Sequence, residues 1–212
     1  GNKTIRVLLP ENEGRNQLKT LKKNVSKFRE FKFFQTRKQW HNWLEKNHVR
    51  EEKGIWLVFY KKKANKPSLE YEDAIEEALC FGWIDSIIKK LDQERNVQRF
   101  SPRKSKSNYS QTNKERLKRL IEQGKVIPEV LDSLSEVDLE NFDYPIDILT
   151  VIRENKQAWK NYQKYSESYR RIRVAYIDLG RKRPGEFEKR LQHFIRKTEK
   201  DQQFGFGIED YY

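Results

Sequence analysis

The sequence predicts an α+β fold: a small antiparallel sheet of about three strands packed with helices, followed by a C-terminal helical module. Three observations lead to this prediction. Residues 55–60 form a strongly apolar run that is typical of a strand. Two more strand-like segments, 83–91 and 96–102, are separated by a short polar turn. Several segments after residue 145 have the apolar spacing of helices.

The composition fits a folded chain built around aromatic residues. The 212 residues are enough to bury a core. The mean hydropathy of −1.04 is low, but 5 Trp, 12 Phe and 10 Tyr supply large apolar areas at few positions. The single cysteine, Cys80, excludes an intramolecular disulfide and fits a reducing, cytoplasmic location. No apolar run approaches the roughly 20 residues that span a bilayer, so we expect no membrane span.

Residues 1–35 are predicted to be a basic N-terminal extension, and a core domain is predicted over residues 36–127. The first helix of that domain is predicted to begin with a capping box, in which the side chains of Thr36 and Gln39 each accept a hydrogen bond from the other residue's backbone N–H. Its buried face is predicted from apolar side chains at helical spacing: Trp40, Trp43 and Leu44.

The middle of the core domain is predicted as a strand, a helix and a hairpin. The apolar strand begins after Gly54 and is broken by Lys66-Pro67-Ser68. The helix over residues 71–81 is stopped by Gly82. The hairpin turn is predicted at residues 92–95.

A basic loop, residues 101–110, follows the hairpin. A second capping box, Thr112 with Glu115, is predicted to begin the next helix. Three further segments complete the chain: an acidic connector at 128–144, a helical module at 145–203 and a tail at 204–212. Pro145 and Pro184 each suit the beginning of a helix in that module.

The formal net charge is +13, and its distribution points to one region. Residues 95–119 carry nine Lys or Arg against one acid, which gives this stretch a net charge of +8. Arginine offers forked donors to phosphate or carboxylate, and hydroxyl groups and free helix-start amides add to such a site. The predicted anion-binding residues are Arg99, Arg103, Lys104, Lys106, Ser107, Tyr109 and Asn113. The alternative is that Arg99 pairs internally with Asp85 while the lysines are solvated.

Other sites are less well supported by the sequence. Asp85 is the candidate for a catalytic acid or base, and its alternative role is to hold a turn or an arginine. Cys80 lies among apolar neighbours and is predicted to be a core residue. His41 and His48 are about two helical turns apart, too far for neighbouring ligands. We therefore predict neither a metal site nor a cofactor.

Several runs of residues resemble a known family. They are Pro67-Ser68-Leu69, Ala78 to Asp85 with the motif residues Gly82, Trp83 and Asp85, Lys90-Leu91-Asp92, and Arg99 to Lys104. Farther along, Ser168-Tyr169-Arg170, Arg190 and Gly205 continue the pattern. Over residues 36–207 the chain resembles the bacterial YdeI/OmpD-associated family, also labelled bacteriocin-protection proteins. It departs from the pattern at Tyr109, where the family is expected to have a tryptophan. The resemblance implies a role in envelope or peptide-stress tolerance and supplies no reaction or cofactor.

The resulting expectation is a binding protein rather than an enzyme. Its partner is expected to be an anionic ligand or an acidic protein surface. Two alternatives stay open: an enzyme acting on a small anionic substrate with Asp85 as acid or base, and a protein that binds nucleic acid without sequence preference. The oligomeric state stays open as well.

Overall fold

The computed structural model describes residues 31–104 and 109–212, which fall into two compact units. Among the described residues, the first unit contains 31–104 together with 123–134, and the second contains 109–122 together with 135–212. Both α-helices and a sheet are present, which confirms the α+β class.

The sheet lies in the first unit and has four strands. They are β1 (Phe31–Phe33), β2 (Ile55–Tyr60), β3 (Trp83–Lys90) and β4 (Arg95–Pro102). Their order across the sheet is β1-β2-β4-β3. The three predicted antiparallel strands are present, and β1 adds a parallel strand beside β2. The sheet is therefore mixed, and its first strand lies inside the segment that was predicted to be an extension. A bulge interrupts the pairing of β3 with β4 between Asp85 and Ile88.

Eight α-helices are described. They are α1 (Arg37–Asn47), α2 (Tyr71–Cys80), α3 (Gln111–Glu122), α4 (Pro128–Ser133), α5 (Ile146–Glu154), α6 (Lys156–Tyr162), α7 (Glu167–Asp178) and α8 (Glu186–Glu199). The predicted acidic connector is thus helical in part, since α4 begins at Pro128. Pro145 immediately precedes α5 and Pro184 lies two residues before α8, which agrees with their predicted positions.

The two predicted capping boxes had different outcomes. The Thr36 side chain accepts a hydrogen bond from the backbone N–H of Gln39 at 3.3 Å, so this cap is confirmed. The Gln39 side chain reaches one residue farther back and accepts from the N–H of Gln35.

The predicted Thr112 cap is wrong, because α3 begins at Gln111 and the Ser110 hydroxyl accepts from the N–H of Asn113 at 3.3 Å. Glu115 does not serve the cap. It is 3% exposed and accepts hydrogen bonds from Gln111 and Ser168.

An aromatic cluster holds α1 and α2 against one face of the sheet. The rings of Trp40 and Trp43 stack with centroids 5.4 Å apart. Trp40 also meets Phe100 of β4 edge to face at 5.8 Å, and Trp43 meets Trp83 of β3 at 5.7 Å. The indole N–H of Trp40 donates to the carbonyl of Ala74 in α2 at 3.1 Å. These buried rings form the core of the first unit.

Arg37 joins α1 to α2 through charge. Its guanidinium forms salt bridges with Asp73 at 2.9 Å, Glu76 at 2.8 Å and Glu77 at 2.5 Å. Burial alone would lower the pKa of Arg37, but the hydrogen bonds and charges of Glu77 and Glu76 outweigh it and raise that pKa. The two glutamates are 8% and 6% exposed, so they depend on this cation for compensation.

Arg173 is the unusual charge of the second unit. It is 6% exposed, and no described carboxylate forms a salt bridge with it. Its guanidinium carbon lies 4.0 Å from the ring centroid of Phe204 and 4.7 Å from that of Tyr176. Burial lowers its pKa. Ring faces therefore take the place of an anion beside this side chain.

We expect Arg37→Ala to lower the free energy of unfolding of the first unit by roughly 2–3 kcal/mol. Breaking a buried ion pair typically costs about 3–5 kcal/mol, and the estimate is reduced because the Arg37 side chain is 30% exposed. Urea denaturation followed by tryptophan fluorescence measures the change, since four of the five tryptophans lie in this unit. The exposed Arg50 is the control, and an equal loss in Arg50→Ala would contradict the argument.

We expect Arg173→Met to leave the melting temperature of the second unit nearly unchanged, whereas Arg173→Ala lowers it. Methionine keeps the apolar stem between the rings and removes a buried charge, while alanine leaves a gap that costs about 2–4 kcal/mol. Thermal unfolding followed by near-ultraviolet circular dichroism distinguishes the two. A methionine variant as unstable as the alanine variant would show that the guanidinium makes a polar contact the fold requires.

Candidate anion-binding surface

The aromatic cluster of α1 packs on one face of the sheet in the first unit, and Arg99 lies on the opposite face. Because side chains alternate along a strand, the pairing register shows which residues share that face. They are Phe31, Phe33, Trp56, Val58, Tyr60, Ile84, Lys89, Arg95, Val97, Arg99 and Ser101. We call this surface the open face. Its base is a small apolar cluster in which Val58, Leu91 and Val97 are buried.

Two rows of paired residues cross the open face. The first row is Phe31, Trp56 and Arg99. The second row is Phe33, Val58, Val97 and Lys89. Each row therefore begins with an aromatic ring on β1 and ends with a cation on β4 or β3. Phe31, Phe33 and Trp56 are only partly buried, and Lys89 is exposed.

The cations of the open face differ in their surroundings. The Lys89 ammonium lies 5.5 Å from the ring centroid of Trp56, within the range of a cation–π interaction. The Arg99 guanidinium donates to the carbonyl oxygen of Lys53 at 2.5 Å, and no described carboxylate forms a salt bridge with it. No described acid therefore compensates the positive charge of Arg99 at this end of the face.

At the opposite end the cations are paired with acids. Lys66, which lies over the ring of Tyr60 at 5.2 Å, forms a salt bridge with Glu94 at 2.7 Å. Arg95 forms one with Asp92 at 2.5 Å. Burial would raise the pKa of Asp92, but hydrogen bonds from Arg95 and from the backbone of Glu94 outweigh it and lower that pKa. The described acids beside the open face therefore lie at this end, away from Arg99.

Three of the predicted anion-binding residues follow one another along β4 and its end. Arg99 is on the open face, Arg103 is partly buried, and Lys104 is exposed. The backbone N–H of Arg103 donates to the carbonyl of Gly82 at 2.8 Å, which fixes the chain as it leaves the sheet. The predictions for Lys106 and Ser107 lie outside the described residues.

The other two predicted residues, Tyr109 and Asn113, belong to the second unit. Asn113 is 9% exposed, and its side-chain oxygen accepts a hydrogen bond from Arg116 at 3.1 Å. Ser110, which was expected to offer a hydroxyl to a ligand, caps α3 instead. The predicted residues are therefore divided between the two units.

Asp85 faces the helices, on the side of the sheet opposite Arg99. It pairs with Phe100, the neighbour of Arg99 on β4. Its carboxylate accepts hydrogen bonds from the Tyr71 hydroxyl at 3.0 Å and from the Gln98 amide at 2.7 Å. Burial, with a contribution from the Asp85 charge, raises the pKa of Tyr71 to about 12. The expected alternative pairing of Asp85 with Arg99 does not form, and Asp85 is instead held by neutral donors.

The motif residues Gly82 and Trp83 have structural positions in the first unit. Gly82 has a φ of 70°, which permits the tight turn from α2 into β3. Trp83 is 1% exposed, and its indole N–H donates to the carbonyl of His48 at 3.2 Å. Both residues line a cavity of about 350 Å³, whose wall also includes Phe81 and Val130. Nearby, burial raises the pKa of the Cys80 thiol to about 12, as expected for a core cysteine.

The described ranges contain no group of three or more His, Cys, Asp or Glu side chains placed to hold a metal ion. Within the same ranges, no helix is long and apolar enough to cross a bilayer.

The contribution of Phe31 and Phe33 to the open face was not predicted from the sequence. Phe31-Lys32-Phe33 has the alternation of a strand with one apolar face, but three residues are too few to distinguish a strand from chance. Lys89 was included in a predicted strand without a role, because its face depends on the bulge before Ile88.

Comparison with family models divides the chain into two matched regions. Residues 32–133 match a model described as a domain of unknown function (DUF8412). Residues 141–201 match the model described as bacteriocin-protection, YdeI or OmpD-associated. No curated protein and no solved structure matched the chain.

The second match confirms the predicted resemblance for residues 141–201, a shorter range than the expected 36–207. The motif residues Gly82, Trp83 and Asp85 lie in the region matched by the domain of unknown function. Residues 141–201 are thus similar to the YdeI/OmpD-associated, bacteriocin-protection family.

Proposed function

We propose that the protein binds an anionic partner and that the open face makes the contact. The observation that carries this proposal is Arg99, whose guanidinium donates to the carbonyl oxygen of Lys53 and forms no salt bridge with a described acid. An arginine that has no described acid as a partner, next to a low-dielectric aromatic surface, attracts an anion more strongly than a fully solvated lysine does.

The surrounding charge supports the same proposal. The chain has a net charge of +13, and a field of this sign increases the rate at which an anionic partner is captured. Arg103 and Lys104 continue from the end of β4, so a partner longer than the sheet has further cations to meet. The predicted role of these two residues in anion binding is part of this proposal.

The cellular role is proposed from the family description. A bacteriocin-protection family is the basis for proposing a part in envelope or peptide-stress tolerance. A cytoplasmic location is proposed because the single cysteine, Cys80, is a buried thiol rather than half of a disulfide. Neither proposal depends on the geometry of the open face.

Adjacent lysines of β3 provide a matched test of the proposed surface. Lys89 pairs with Val97 on the open face, whereas Lys90 pairs with Asn96 on the opposite face, and both are exposed. We expect Lys89→Ala combined with Arg99→Gln to weaken the binding of inorganic polyphosphate at low salt by roughly thirtyfold or more, since each substitution loses a charge-assisted contact of about 1 kcal/mol or more. Isothermal titration calorimetry measures the affinity.

Lys90→Ala with Arg50→Gln is the control, because it removes the same charge from exposed positions away from the open face. It should bind polyphosphate nearly as well as the parent protein. If the control loses as much affinity as the test variant, binding follows net charge and the open face is not the site.

A further inference from the structure

We infer that the cavity at the junction of α2 and β3 binds a small organic cation, a molecule with an apolar body and an amino group. The cavity has a volume of about 350 Å³. Small-molecule sites of this size are mostly apolar, with a few polar groups at fixed positions. No described residue of the cavity wall belongs to the open face. This inference is therefore independent of the proposed function.

The apolar part of the cavity wall belongs to the core of the first unit. Phe81, Trp83 and Val130 line the cavity and are 6%, 1% and 6% exposed. Val49 also lines it, and this apolar side chain is 75% exposed. A ligand with an apolar body removes such surface from water and gains dispersion contacts with the rings. These side chains therefore favour a ligand with a hydrocarbon or aromatic part.

Hydrogen bonds hold the wall in place without a ligand. The indole N–H of Trp83 donates to the carbonyl of His48 at 3.2 Å. The backbone N–H of Ile127 donates to the carbonyl of Cys80 at 3.2 Å, which joins the segment before α4 to the end of α2. Because the wall is already ordered in the folded unit, a ligand does not lose affinity by ordering it.

The charge of the wall is opposite to that of the chain. The sequence has 45 Lys and Arg against 32 Asp and Glu. The described residues of the wall nevertheless include Glu52 and Glu129 and neither lysine nor arginine. Both glutamates are exposed, and no described cation forms a salt bridge with either of them. Two carboxylates beside an apolar wall attract a cation and repel an anion.

The imidazole of His48 adds an acceptor to the wall. Its Nδ1 lies 2.9 Å from the carbonyl oxygen of Leu44, a contact that requires the ring proton on Nδ1. In the neutral ring the other nitrogen, Nε2, is then an acceptor. An amino group has N–H donors for such an acceptor, whereas a carboxylate has none. The polar groups of the wall therefore favour an amine over an acid.

A metal ion fits the cavity less well than an organic cation. The described ranges contain no group of three or more His, Cys, Asp or Glu placed to hold a metal. The rings of Phe81 and Trp83 offer no oxygen ligand to a hard cation. A hydrated ion would also leave Val49 in contact with water, whereas an organic cation covers it. The occupant is therefore an organic molecule.

Two small probes with the same ring and opposite charges test the cavity. Phenethylamine carries an ammonium group and 3-phenylpropionate a carboxylate, each separated from a phenyl ring by a two-carbon chain. Nuclear magnetic resonance of the full-length chain follows the indole N–H of Trp83 as each probe is added into the millimolar range. Phenethylamine should shift this signal with saturation. It should bind roughly fivefold or more tightly than 3-phenylpropionate, because its charge complements the two exposed glutamates.

Removing the two carboxylates tests the charge selection. Glu52→Gln combined with Glu129→Gln should weaken phenethylamine binding by roughly five- to tenfold, because each exposed ion pair contributes a few-fold in affinity. Glu51→Gln combined with Glu70→Gln is the control, since it removes the same charge from positions outside the described wall. The control should bind phenethylamine like the parent protein.

A second variant adds a cation to the wall. Val49 is 75% exposed, so Val49→Lys should leave the fold unchanged. The new ammonium should weaken the binding of phenethylamine and strengthen the binding of 3-phenylpropionate. Circular dichroism of each variant verifies that the fold is retained.

The remaining outcomes overturn the inference. Equal binding of the two probes, unaffected by the glutamate substitutions, would show an apolar cavity without charge selection. Tighter binding of 3-phenylpropionate would assign the cavity to an acid. No shift of the Trp83 signal with either probe would show that the cavity does not take an aromatic amine. None of these results decides whether the open face binds polyphosphate, which is tested separately through Lys89 and Arg99.

Discussion

The stacked pair of Trp40 and Trp43 is the interaction on which the first unit depends. It joins α1 to the carbonyl of Ala74 in α2 and to the rings of Phe100 and Trp83 in the sheet. By covering one face, it determines the environment of every strand residue, since alternate positions along each strand go to the core or away from it. Asp85 and Arg99 therefore lie on opposite faces of the sheet, Asp85 on the face that α1 covers and Arg99 on the other.

The fold prediction was correct for the elements whose secondary structure is determined by their own stretch of sequence. The apolar run of β2 and the helical spacing of α2 and α8 require no knowledge of distant partners. It missed β1, because three residues gain their strand conformation from parallel pairing with a segment more than twenty positions away. It misplaced the start of α3, because the buried Glu115 had a partner in α7 that spacing alone does not show.

The residues predicted to bind an anion are divided between the two units. Grouping residues 99–113 by proximity in the sequence assumed that they stay together, but the chain enters the second unit for α3 and then returns to the first. Arg99, Arg103 and Lys104 remain beside the sheet, and the rings that accompany Arg99 come from β1 and β2. The residues of such a surface come together through the pairing of neighbouring strands. Composition and runs of charge in the sequence do not show which strands pair or in which register.

The edges of the sheet have a consequence of their own. Unpaired backbone at a sheet edge invites another chain to add a strand and begin aggregation. Here one edge, β1, is only three residues long, and the other, β3, carries a bulge and ends in Lys89 and Lys90. A short edge, an irregular backbone and repelling charges each disfavour strand addition. The exposed Ile87 and Ile88 of β3 therefore lie on an edge whose bulge and lysines disfavour the addition of a strand from another chain.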